Sequence, residues 1–237
     1  MASKKTTKKA TTPPTADALV SDIIGEMNGK HGEGASMLLE GSTVASVNHW
    51  IPSGATALDA ILGGGYPAGR VVEIYGGESN GKTTFALHAL AETQKAGGIG
   101  IFLDTEHALS KEWAQSLGVD LTKLIYAQPG TMEELFDFVE DTISYISEKS
   151  PETLITIVWD SVASTPVKPE LEGEYGDAVM GLHARVMSQA FRKITKRLSH
   201  CNVLFICLNQ IRAKFNVSFG NPNETFGKTV FSAYLPK

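Results

Sequence analysis

The sequence predicts an α/β fold, a mainly parallel β-sheet flanked by helices, on three observations. Strand-like apolar runs alternate with amphipathic helical segments along most of the chain. Two of those runs, residues 154–160 and 203–209, are almost continuously apolar, as strands covered on both faces must be. The third is Gly76-Gly77-Glu78-Ser79-Asn80-Gly81-Lys82-Thr83, which fits G-x-x-x-x-G-K-[ST] between a strand-like and a helix-like segment.

Each element follows from its local pattern. Residues 16–27 carry apolar positions at helical spacing and read as a short amphipathic helix. Residues 29–41 are a glycine-containing connection whose apolar cluster is Met37-Leu38-Leu39, and a compact region is expected from about Val44. Residues 70–75 are rich in β-branched and aromatic side chains, hence a strand, and 84–91 read as a helix. A strand at 98–104, a helix at 111–117, a short strand at 124–127 and a long amphipathic helix at 132–149 follow. The buried strand 154–160, a helix at 181–199 and the buried strand 203–209 complete the alternation. The expected organisation is a basic leader (1–14), a helix and linker (15–43) and a core (44–237).

Composition narrows the class. With 42% hydrophobic and 20% charged residues among 237, the chain reads as a globular domain with an appendage. No apolar run approaches the roughly 18–20 residues that span a bilayer, so no membrane partner is expected. The lysine-rich start has no apolar segment behind it and is not a secretory signal. It reads as a solvated leader, with weak nonspecific attraction to DNA as the sharper alternative. Cys201 and Cys207 lie in or beside an apolar run and read as buried thiols in a reducing compartment. The net charge is −5, and four lysines without an acid precede Pro14, which leaves −9 for the rest. A body that acidic binds nucleic acid only through a local basic stripe.

The glycine-rich motif carries the clearest chemistry. Its glycines let backbone N–H groups close around a triphosphate, and the helix behind it, opening at Thr84, adds a positive end. Lys82 would reach the β- and γ-phosphates, and the Thr83 hydroxyl would bind Mg²⁺. Ligands of parallel sheets lie beyond the carboxyl ends of the strands, so polar residues there matter. Asp160 can hold the Mg²⁺ shell opposite Thr83, or merely cap the next segment. Glu106 is a candidate to orient or deprotonate an attacking water, although acids commonly follow strands. His107 reads as a packed or hydrogen-bonded histidine rather than a catalyst. Gln210 can hydrogen-bond a γ-phosphate or its water. Two segments are unusual: 170–177, acidic and glycine-rich, and 211–222, where Arg212 and Lys214 interleave with Phe215 and Phe219 before Gly220-Asn221-Pro222. Cations with aromatics suit single-stranded nucleic acid; the plain alternative is a surface loop anchored by two phenylalanines.

Taken in order, these blocks resemble the RecA-type recombinases from about Ala35 to Gly227. The specific ones are Val72-Glu73-Ile74-Tyr75-Gly76 leading into Gly81-Lys82-Thr83-Thr84, Glu106-His107-Ala108-Leu109 and Asp160-Ser161-Val162-Ala163. Met187-Ser188-Gln189-Ala190 matches as well, and Met180-Gly181-Leu182 and Asn209-Gln210-Ile211-Arg212 separate this resemblance from helicase and clock-type relatives of the same core. The leader and divergent details look more like a bacteriophage or otherwise unusual member.

The resemblance implies a RecA-like P-loop core with ATP and Mg²⁺ as cofactors, and an N-terminal helix that packs on a neighbouring protomer to build a helical filament. It implies binding of single-stranded DNA, pairing with homologous duplex DNA and strand exchange in DNA repair and the SOS response, in the cytoplasm of a bacterium or phage-infected host. Glu106 looks like the catalytic glutamate, Gln210 like the residue coupling γ-phosphate to a DNA loop, and Trp113 like a stacking partner for adenine. Residues 172–180, ending at Met180, match a first DNA loop, and 211–227, with Arg212, Lys214, Phe219, Gly220 and Asn221, a second. Arg185 and Arg192 match arginines that hold DNA phosphates. The sequence departs from the family at Gly77, often proline, at the bulky Trp159, and after residue 227, where a truncated or split product is expected. The alternatives are another P-loop ATPase of the superfamily, such as a helicase or loader, and an inactive DNA-binding recombinase fragment.

Overall fold

The computed structural model describes residues 15–41, 47–173, 181–213 and 223–225. Met1–Ser46 and Val47–Lys237 form separate compact units. In the first, α1 (Ala16–His31) starts where the Thr15 hydroxyl accepts the Ala18 N–H at 3.4 Å and ends where Gly32, at φ 102°, returns its N–H to Asn28. The helix outruns the expected residue 27 by one turn. A Glu26–Lys30 ion pair at 2.6 Å bridges that turn, and the Asn28 side chain accepts the Ser36 N–H at 2.7 Å beyond it. Leu19, Val20 and Ile23 are exposed on α1. A 3-10 turn covers Leu39–Gly41.

The second unit opens with elements the sequence pattern did not announce. Strands β1 (Trp50–Ile51) and β2 (Tyr66–Pro67) pair antiparallel and frame a short helix, α2 (Thr56–Leu62). Gly65 is needed here: at φ 125°, a Cβ would stand 2.3 Å from the Ile51 carbonyl oxygen. Then come β3 (Val71–Gly76), α3 (Lys82–Lys95), β4 (Ile99–Asp104), α4 (Lys111–Ser116), β5 (Leu124–Ala127) and α5 (Met132–Lys149). The chain continues through β6 (Ile155–Asp160), α6 (Lys168–Glu172), α7 (Leu182–Leu198), β7 (Val203–Ala213) and β8 (Asn223–Thr225). The sheet order is β3-β7-β6-β4-β5, all parallel, with β8 antiparallel to the end of β7.

Strand parity divides the interior in two. Ile155, Ile157 and Trp159 of β6 face α5 and α7, with Phe136, Val139, Phe191 and Ile194. Val158 faces α3 with Leu87, Leu90 and Phe102, and Thr156 is on that side too, its hydroxyl 2.5 Å from that of Thr93. Asp160 continues the even series and therefore emerges on the α3 side. Helix α5 follows the expected bounds because Met132, Leu135, Phe136, Val139, Ile143 and Ile146 form one buried stripe and Thr131 caps its start. Strand β7 runs past the expected 209. Ile211–Ala213 pair with β8, so the base of the expected loop is a two-stranded ribbon. Among the described residues β3 pairs with β7 alone. Its outer edge borders a cavity of about 770 Å³ lined by Trp50, Leu58, Ile61, Val72, Ile74 and Phe85.

Trp159 is the largest fully buried side chain. Its ring lies edge-on to Phe136 at 5.4 Å and parallel to Phe205 at 6.3 Å, and its N–H donates to Thr165 at 2.8 Å. Trp159→Ala is expected to cost about 3–5 kcal/mol, measured as a fall in urea-unfolding free energy.

Candidate nucleotide site

The turn from β3 into α3 is built for close backbone approach. Ser79 at φ 58° and Gly81 at φ 78° are left-handed, and α3 begins immediately at Lys82 with Gly81 as its cap. Such consecutive turns direct successive N–H groups into one concavity at a helix N-terminus. The Lys82 ammonium donates to the carbonyls of Gly77 at 2.9 Å and Gly76 at 3.3 Å, which holds it over that turn. Gly76, Gly77, Glu78, Ser79, Asn80, Gly81, Lys82, Thr83 and Thr84 are thus contiguous at the carboxyl end of β3 and the start of α3.

Thr83 donates its hydroxyl to Asp160 at 2.8 Å. Asp160 is 9% exposed, and its pKa is pushed up to about 6. Burial is the main cause; Glu106 and Asp104 add to the rise, while Thr83 and Lys82 oppose it. The Asp160 carbonyl accepts the N–H groups of Thr105 at 2.8 Å and Glu106 at 3.2 Å, which sets the turn after β4 beside the end of β6. There Glu106 Oε1 accepts the Ser161 hydroxyl and the Gln210 amide, the latter at 3.2 Å. Lys82, Thr83, Glu106, Asp160 and Gln210 therefore converge at the carboxyl ends of β3, β4, β6 and β7, where parallel sheets hold their ligands.

Two side chains in this cluster were not singled out from the sequence. Ser161 completes the Glu106 contacts, and Asp104 lies in register with Asp160 on the neighbouring strand. Asp104 is 1% exposed, and the rule that polar residues ending parallel strands deserve notice applies to it as well as to Asp160. Trp113 sits in the first turn of α4, its N–H bonded to Ser110 at 3.1 Å and its side chain half exposed.

The expected DNA residues divide by location. Arg185 and Arg192 are exposed on α7, seven residues and hence two turns apart, on one face. Arg192 donates to the Ser188 carbonyl at 3.1 Å. Arg212 lies in β7 opposite Glu224 of β8. Met180, Lys214, Phe219, Gly220 and Asn221 lie outside the described residues, as do residues 174–177 of the acidic segment, whose first residues form the end of α6. Among the described residues no helix is long and apolar enough to cross a membrane.

A phosphate-loop α/β domain with carboxylates at adjacent strand ends is the class that fold and site define. Residues 18–235 match the RecA N-terminal domain. The chain is 45% identical over 229 residues to Protein RecA of Prochlorococcus marinus (strain MIT 9301), covering 96% of this chain and 60% of that protein. It is 46% identical over 212 residues to Protein RecA of Gloeobacter violaceus, covering 90% and 56%, and 47% identical over 204 residues to Protein RecA of Porphyromonas gingivalis, covering 86% and 58%. The chain belongs to the RecA family. It spans about 60% of the length of the curated relatives it matches.

In the protein without nucleotide or divalent ion, Asp160 titrates near 6 when folded against an ordinary 3.8. Between those values the folded state holds more protons than the unfolded state, so this group lowers stability as pH rises. Asp160→Asn removes that dependence. The stability difference, variant minus parent, is expected to grow from about pH 4 to about pH 6 and then level off. Urea unfolding at four pH values reads it.

Proposed function

We propose that the chain is an ATP-dependent homologous recombination protein that coats single-stranded DNA as a filament, pairs it with homologous duplex and promotes strand exchange in cytoplasmic DNA repair. The observation that carries the reading is the convergence of Lys82, Thr83, Asp160, Glu106 and Gln210 at one end of the sheet. The residues fit ATP·Mg²⁺. The turn offers backbone N–H donors to phosphate, and Thr83 with Asp160 offers two hard oxygen ligands. Among the described residues no group of three or more His, Cys, Asp or Glu is placed to hold an ion, so Thr83 and Asp160 would hold Mg²⁺ together with the nucleotide rather than alone. When bound, Mg²⁺ neutralises charge that develops on the phosphates.

The side chains then have separate tasks. Lys82 leaves the loop carbonyls to face the β- and γ-phosphates. The Glu106 carboxylate orients a water in line with the γ-phosphorus and takes its proton as the new P–O bond forms and the bond to the β–γ bridging oxygen breaks. Gln210, bonded to Glu106, senses whether the γ-phosphate is present. Trp113 offers an aromatic face for adenine, and the exposed Arg185 and Arg192 offer phosphate contacts for DNA.

Glu106→Gln is expected to keep ATP binding and lose about 10²–10⁴-fold in hydrolysis; full turnover in that variant removes Glu106 from the role. ATP hydrolysis by the 237-residue chain is expected to rise when single-stranded DNA is added. Equal rates with and without DNA count against DNA coupling. Strand exchange between homologous oligonucleotides separates a recombinase from a helicase or loader. Nucleotide binding with no turnover points to a DNA-binding fragment instead.

A further inference from the structure

We propose that Tyr126 and Gln128, at the carboxyl end of β5, are positioning residues for Glu106, gripping the Asp104–Leu109 turn from the side opposite β6. The proposal rests on the reading of Glu106 as the residue that acts on the attacking water. Glu106 stands in a turn that needs support from two sides. On the β6 side the support is the Asp160 carbonyl, which takes the Thr105 and Glu106 N–H groups, and the Ser161 hydroxyl. On the other side His107 adopts φ 56°, a left-handed conformation that a residue with a Cβ rarely keeps unless neighbours hold it.

A chain of hydrogen bonds from β5 supplies that hold. Gln128 Nε2 lies 2.6 Å from His107 Nδ1 and 2.7 Å from the Tyr126 hydroxyl oxygen. The Tyr126 O–H then donates to Asp104 Oδ2 at 2.9 Å. Asp104 also accepts the N–H groups of Ala108 at 3.3 Å and Leu109 at 3.2 Å, which close the turn. The count of protons fixes the direction. An amide NH₂ has two donors and a phenol one, so Gln128 spends one on each partner and Tyr126 spends its own on Asp104. His107 Nδ1 is then an acceptor, with its ring proton on Nε2.

Strand pairing explains how the chain of bonds arises. Phe102 of β4 is in register with Tyr126 of β5, so Tyr126 shares a face with Asp104 two residues further on. Packing does not account for the choice of tyrosine, since its side chain is 46% exposed and a phenylalanine would cover the same surface. The hydroxyl is the part with a partner on each side. Partial burial and the bond to Asp104 push its pKa up, which keeps it a donor. Displacing a catalytic group by about 1 Å costs on the order of 10²-fold, so a clamp acting through the turn should be read in turnover and not in nucleotide affinity.

The test uses Tyr126→Phe and Gln128→Leu in the 237-residue chain, with ATP hydrolysis and backbone hydrogen exchange measured on the same samples. In each variant kcat is expected to fall about tenfold or more with KM unchanged, and exchange at residues 105–109 to quicken while β6 and β7 stay protected. The double variant should fall no further than the worse single one, since the two residues act as one unit. In a Glu106→Gln background Tyr126→Phe should change the residual rate no further. Unchanged exchange at 105–109 overturns the proposal, whether or not the chain turns over ATP. Faster exchange throughout the sheet with a lowered Tm also overturns it, by showing a merely structural role. Full activity of Glu106→Gln would instead remove the reading of Glu106, a result distinct from failure of the clamp.

Discussion

The site is organised around one residue that makes two different attachments. Asp160 grips α3 through its carboxylate, at the Thr83 hydroxyl, and grips the turn after β4 through its carbonyl, at the N–H groups of Thr105 and Glu106. The phosphate loop and the Glu106 turn are separated by α3 and β4, and this residue, from a more distant part of the chain, bonds to both. Its position is a consequence of packing: β6 is buried along its whole length between β4 and β7, and the parity that seats Val158 against α3 aims Asp160 the same way. Burying a carboxylate is costly unless positive charge or donors compensate. Burial first, and then the neighbouring Glu106 and Asp104, push the Asp160 pKa up to about 6.

The same geometry explains what could be read in advance. The phosphate loop is contiguous, so its residues are recognisable wherever the chain carries them. Helix α5 was legible to its ends because its buried stripe and its Thr131 cap are local. The strand-end rule found Asp160, Glu106 and Gln210, since a polar residue closing an apolar run is visible without knowledge of neighbours. Helix α2 escaped because seven residues ahead of three glycines carry too little periodicity, and what fixes them is the distant pairing of Trp50–Ile51 with Tyr66–Pro67. The last turn of β7 escaped for a similar reason: Ile211–Ala213 become a strand only through Asn223–Thr225. Tyr126 and Gln128 gave no signal at all, because a tyrosine at the end of a four-residue strand acquires meaning only when β4 lies beside it.

Strand β7 also bears on how the two ligands of such a site would communicate. Up to Gln210 it pairs parallel with β3, and from Ile211 it pairs antiparallel with β8. Gln210 is the last residue of the first arrangement, and its side chain meets Glu106. Its own N–H is fixed by the Asn209 side chain at 2.9 Å, and Asn209 in turn donates to Glu73 on β3 at 2.8 Å. The Asn209 side therefore anchors the strand to the sheet, while the Gln210 side faces the nucleotide pocket. On the proposed reading of Gln210, a shift towards a γ-phosphate would be taken up beyond that anchor, where Ile211–Ala213 pair with Asn223–Thr225. Packed sheets deform little, whereas a ribbon of two short strands has only three residue pairs to hold it. On that reading the ribbon is the outlet for such a movement, and residues 214–222, which carry Lys214, Phe215 and Phe219, follow it in sequence.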